Sequence, residues 1–169
     1  LPQTLGRQFR SVKCLDDGSW LLVFDTYLFR STDLGATWVE VRGKDTTIVH
    51  GFGWHGVDGA HIVISDYAND MFSTHVSHDY GATWETVFTD EPSVPELGVE
   101  ATGTNHHRHM VIWDPTSNHT AAFVSRGDGV ANAVVYRIYD NGGETWELDT
   151  DFLYHDAGFA VAGVTLSGT

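Results

Sequence analysis

The sequence predicts an all-β chain of the β-propeller class, made of four-stranded antiparallel blades, with about three blades and the first strand of another present. Three observations predict it. An eight-residue turn motif recurs along the chain, runs of strand length and strand composition separate its copies, and no stretch keeps a helical period. A four-stranded unit repeated at this spacing is the sequence pattern of a propeller blade.

The motif is Ser31-Thr32-Asp33-Leu34-Gly35-Ala36-Thr37-Trp38, which returns as Ser77-His78-Asp79-Tyr80-Gly81-Ala82-Thr83-Trp84 with six identities. A looser third copy runs from Tyr139 to Trp146; aligned back from its tryptophan it places Asn141, Gly143 and Thr145 on Asp33, Gly35 and Thr37. The chemistry is that of a hairpin turn. The Asp or Asn side chain accepts from backbone N–H groups ahead of it, the glycine takes a positive φ, the Thr opens the return strand and the Trp packs beneath it. These residues are expected to be structural, with the tryptophans buried.

Taken in order, blade 1 (about 8–45) offers Gln8–Leu15, Trp20–Phe24, Tyr27–Ser31 and Trp38–Val41 as strands, with a turn at Asp16-Asp17-Gly18. Blade 2 (about 46–91) offers Thr47–Trp54, His61–Ser65, Met71–Ser77 and Trp84–Phe88. A loop of about 92–105 carries Pro92, Pro95 and Gly98. Blade 3 (about 106–153) offers His109–Trp113, Ala121–Ser125, Val134–Tyr139 and Trp146–Leu148; the segment 157–169, with Phe159–Leu166 at its centre, reads as the start of a further blade. A single domain of 169 residues results, about half the length of a closed propeller. The chain is read first as part of a longer propeller and second as a unit that closes with neighbouring copies.

Net charge is −14, from 23 acids against 9 bases, which disfavours nucleic acid and anionic membranes as partners. No run of 18 apolar residues offers a transmembrane helix. The lone Cys14 has no partner for an internal disulfide and is expected to be a small buried hydrophobe.

The repeated turns resemble the Asp-box (BNR) repeat, and the chain is similar to the sialidase-like β-propeller family over about Gln8 to Leu148. The resemblance also covers Phe9-Arg10-Ser11-Val12, where sialidases carry Phe/Tyr-Arg-Ile-Pro; it implies that Arg10 lies at the axial end of an innermost strand and touches ligand. The loop that bears the acid/base Asp in that family is cut here to Asp25-Thr26-Tyr27, leaving Asp25 as a second ligand candidate. Ser11 and Val12 replace Ile and Pro, and the family's other arginines and Tyr/Glu pair belong to later blades. One arginine does not make an anionic-sugar site.

His106-His107-Arg108-His109 is the densest polar cluster, and His107 and His109 share a strand face. They are candidates for lining a channel or interface whose assembly responds to pH near 6; no metal or other cofactor is expected. Asn118-His119-Thr120 fits a glycosylation sequon. The expected function is that of a non-catalytic module, without catalytic residues, that binds carbohydrate or protein within a surface, secreted or virion assembly. Its expected partners are copies of itself or neighbouring subunits, through open blade faces and the strand 159–166, with a glycan as a further ligand. The alternative is the front part of a sialidase-like glycoside hydrolase.

Overall fold

The computed structural model describes residues 9–24, 27–42, 56–65, 72–90, 107–127, 133–143 and 145–156. They form twelve strands and, among them, no helix. Sheet 1 joins β1 (Phe9–Cys14), β2 (Trp20–Phe24), β3 (Tyr27–Ser31) and β4 (Val39–Arg42) in the order β1-β2-β3-β4. Sheet 2 joins β5 (Gly56–Asp58), β6 (His61–Ser65), β7 (Phe72–Ser77) and β8 (Glu85–Asp90) in the same sequential way. Sheet 3 joins β9 (His107–Trp113), β10 (Ala121–Gly127), β11 (Ala133–Tyr139) and β12 (Glu147–Asp156) likewise. Every neighbouring pair is antiparallel, so each sheet is a meander of three hairpins. The predicted four-stranded blades are these sheets, and they do not close into a ring.

The sheets stack face to face in chain order. Leu21, Val23 and Leu28 on the front of sheet 1 meet Ile62 and Ile64 on the back of sheet 2 in one core, with Trp84 and Tyr80 packed against it. Val63, Val76 and Val87 on the front of sheet 2 meet Val111, Trp113, Ala122, Val124, Tyr136 and Ile138 of sheet 3 in a second core. Strand alternation makes this stacking possible, because successive residues of β6 serve different cores.

The first two repeated turns are built alike. Ser31 Oγ accepts from Gly35 N at 2.9 Å and donates to Asp33 Oδ1 at 2.8 Å, while the Asp33 carboxylate accepts from Thr37 N and Thr37 Oγ1 at 2.8 and 2.6 Å. Ser77, Asp79, Gly81 and Thr83 repeat the set with the same partners. Hydrogen bonds from the Thr37 side chain and backbone, then from Ser31, hold the Asp33 carboxyl down to about 2. Gly35 and Gly81 have φ of 86° and 74°, in the region that glycine tolerates.

The third turn departs from the expected alignment. Tyr139 pairs with Glu147, the residue after Trp146, whereas the residues that pair just after Trp38 and Trp84 are Arg30 and Val76. Asp140 therefore stands where Ser31 and Ser77 stand, and the turn is one residue shorter than the others. It is closed by Asp140 Oδ1 accepting from Gly142 N and Asn141 Oδ1 from Gly143 N, not by bonds to Thr145. A one-residue slip reverses every side chain of a strand. Here it turns Ile138 and Tyr136 toward sheet 2.

Described sheet 2 opens with Gly56–Asp58, next to the Asp58-Gly59 turn; the expected strand Thr47–Trp54 lies outside the described residues. Three further expectations are corrected. β12 runs on to Asp156, past the expected end at Leu148, after a bulge between its pairings with Arg137 and Tyr136. Cys14 is exposed, because it points to the back of sheet 1 rather than into the core. Trp38 and Trp84 are only half-buried; each lies back over the glycine of its own turn, and only Trp146 is buried in the core. The segment 159–166 lies outside the described residues, as does the loop 92–105.

Candidate functional site

Of the sequence-predicted ligand residues, Arg10, His107 and His109 fall at the end of the sheets away from the repeated turns. Arg10 and His109 each occupy a bulge in the first strand of their sheet: the pairing of β1 steps from Phe9 to Ser11 across Arg10, and that of β9 from Arg108 to Met110 across His109. His107 pairs with Gly127. The side chains of all three, and the whole of Asp25, lie outside the described residues. Bulges re-aim side chains and gather near binding sites. This is the structural feature that Arg10 and His109 share beyond their position.

Three arginine side chains are described, and each is held by its own protein. Arg30 donates to Asp17 Oδ2 at 3.0 Å and to the Tyr80 carbonyl at 2.9 Å, crossing from sheet 1 to the turn of sheet 2. Arg42 lies 3.2 Å from His75 Nε2 and donates to Thr86 Oγ1 at 3.3 Å, again joining sheets 1 and 2. Arg137 donates to Asp114 at 2.7 Å and to Asp149 at 2.9 Å, fastening the β9–β10 turn to β12. Asp114 also accepts from Thr116 N and Oγ1. Burial works to raise the Asp114 carboxyl, but the bonds from Thr116 and Arg137 outweigh it and hold it below the ordinary carboxylate range.

A polar groove of about 330 Å³ opens at the turn end, between sheets 2 and 3. Its walls are His61 at the start of β6, His78 in the second repeated turn, His119 in the β9–β10 turn, and Trp146, with Glu85 and Asp140 at its edge. His61 Nδ1 and His78 Nδ1 are 2.7 Å apart. The His119 ring lies flat on His61, with centroids 3.9 Å apart and planes 8° from parallel, and its Nε2 bonds to Asp58 Oδ2 at 2.8 Å. Trp113 backs the cluster and donates its indole N–H to the His61 carbonyl at 3.2 Å. His119 and Asn118 hold φ of 65° and 50°, strained values that aim this turn into the groove. The sequence does not group these histidines because they lie 17 and 41 residues apart, on one strand start and two different turns. The one available signal was His78 inside a motif whose other copy has Thr32 there. Among the described residues no group of His, Cys, Asp or Glu is placed to hold a metal ion.

No protein-family model matches the chain, and no curated protein matches it. Solved structures do. The NanB sialidase of Streptococcus pneumoniae superposes with a TM-score of 0.53 at 16% identity, over 94% of this chain and 26% of that one. The intramolecular trans-sialidase of Ruminococcus gnavus gives 0.48 at 16% identity, over 82% of this chain and 31% of that one. YCF48 from Cyanidioschyzon merolae gives 0.47 at 13% identity, over 83% and 40%. The chain thus spans well under half the length of the structures it matches. The likeness to NanB establishes the class of fold: a sialidase-like propeller, present as an open stack of three blades.

Proposed function

We propose that the chain is a non-catalytic Asp-box propeller module that works by binding carbohydrate or protein within a surface, secreted or virion assembly. The observation that carries the reading is the fate of the arginines. An anionic sugar needs convergent guanidinium groups; among the described residues Arg30 and Arg42 instead serve the junction of sheets 1 and 2 and Arg137 a turn, each hydrogen-bonded to the protein's own groups. The exposed surface at the back of sheet 1, with Phe9 and Val12 at 63% and 46% exposure, supports association as the mode of action. Sheet 1 ends the stack with a back face and sheet 3 with a front face, the pair of face types that meets at both internal junctions. A neighbouring copy or subunit fits that geometry, because a head-to-tail contact of this kind closes a ring when its rotation allows.

The competing reading, the front part of a sialidase-like hydrolase, draws on the NanB likeness and on Arg10 in the first strand. Incubation with an aryl sialoside separates the two. The binding module leaves the substrate intact, and Arg10→Ala folds as the unaltered chain does. Clear turnover by the unaltered chain, lost in Arg10→Ala, would establish the hydrolase instead.

A further inference from the structure

The two junctions of the stack are locked at the same place by different chemistry. At the first, Arg30, held by Asp17 of its own sheet, reaches across to the Tyr80 carbonyl. At the second, the same strand position is Val76, which cannot reach, and the space beside it is the groove filled by His61, His78 and His119. At this end of the stack a permanent cation bridges the first seam, and imidazoles fill the same place at the second.

We propose that the junction of sheets 2 and 3 is a proton-sensitive seam, closed at neutral pH by the His61–His78–His119 cluster and loosened in mild acid. The geometry carries this. Across the junction the cluster is held by His119, whose ring lies flat on His61; within sheet 2 the 2.7 Å contact between the Nδ1 atoms of His61 and His78 requires one ring to donate and the other to accept, so the pair that seats His61 under His119 cannot hold its bond with both rings protonated. His119 bonds through Nε2 to Asp58 Oδ2 and lies flat on His61 at 3.9 Å. A charge on His61 would lie against the rings of His119 and His78, whose fields oppose it. The other charged groups around the groove are Glu85 and Asp140; both are at the solvent edge, where water screens them, and Asp140 already accepts from Gly142 N.

Burial, then the fields of His119 and His78, lower the His61 imidazole below its ordinary value near 6.5, against a smaller upward pull from Asp58. An unfolded or opened chain releases that constraint and takes up the proton. The seam's stability is therefore full above about pH 6.5 and is lost as the pH falls below it.

Hydrogen exchange read by NMR tests the seam directly, since the Trp146 amide donates across it to the Val87 carbonyl at 2.7 Å. Between pH 7.5 and 5.0 the protection factor of that amide falls several-fold, since the opened state takes up the proton that the closed seam excludes. The Leu22 amide, inside sheet 1, keeps its protection. In His78→Gln and His119→Asn the fall at Trp146 shrinks to about twofold or less on the same scale, and either variant suffices if the other does not fold. No fall in the unaltered chain, or a fall of the same size in the folded variants, overturns the proposal.

Discussion

The turns depend on single hydroxyl and carboxylate groups, and so does the charge network of sheet 3. Ser77 is 2% exposed, and its Oγ is the acceptor for the Gly81 N–H inside the turn. Ser77→Ala leaves that donor without its partner; urea unfolding should show a loss of about 1–3 kcal/mol, the usual cost of an unsatisfied buried group. Arg137→Gln removes the cation from Asp114, itself 5% exposed, and should cost about 3 kcal/mol in the same experiment, as broken buried pairs do. A near-neutral result for Arg137→Gln would mean that Thr116 and Ser117 alone hold the β9–β10 turn. At this scale the sequence was partly readable. Ser31, Asp33, Ser77 and Asp79 could be assigned structural duties because their spacing fits one turn, but Asp114–Arg137 and His61–His78–His119 join distant strands, and no local pattern announces them.

At the level of the strands and turns, the hairpins were legible because alternation and turn chemistry are local. β2, β3 and β6 fall where the residues predict them. The third turn was misaligned because its Gly-x-Thr-Trp tail matches the others while its loop is a residue shorter, a difference that only strand pairing reveals. Trp38 and Trp84 are less buried than the motif predicts for a related reason: their rings lie back over the glycines of their own turns, and Trp84 packs against the first core only from its rim. The second turn is also a packing element. A Cβ at Gly81 would lie 2.9 Å from both Leu21 methyl carbons in addition to sitting at φ 74°, whereas at Gly18, with φ 81°, it would meet nothing. Gly18→Ala should therefore cost about 1 kcal/mol from backbone conformation alone, and Gly81→Ala about 2–4 kcal/mol, from conformation and overpacking together. Thermal unfolding of the two variants side by side checks the difference, and equal losses would mean that Leu21 does not seat against the second turn.

For the molecule as a whole, the fold class was readable and the closure was not. Repetition of one motif specifies a stack of similar sheets, since each blade buries its faces only against neighbours. How many blades complete the stack depends on what meets its two ends, and that is a property of assembly. The sheets also differ at the turn end of their seams: Arg30 bridges the first, while at the second His119 stacks on His61. The central claim is that the stack acts by association through its end faces rather than by catalysis. Light scattering of the purified chain across a range of concentrations at pH 7.5 tests it most directly. Association predicts a mass above that of one chain that rises with concentration, levelling at two chains where a ring closes. A single-chain mass at every concentration, up to those at which the protein is crowded, would contradict it.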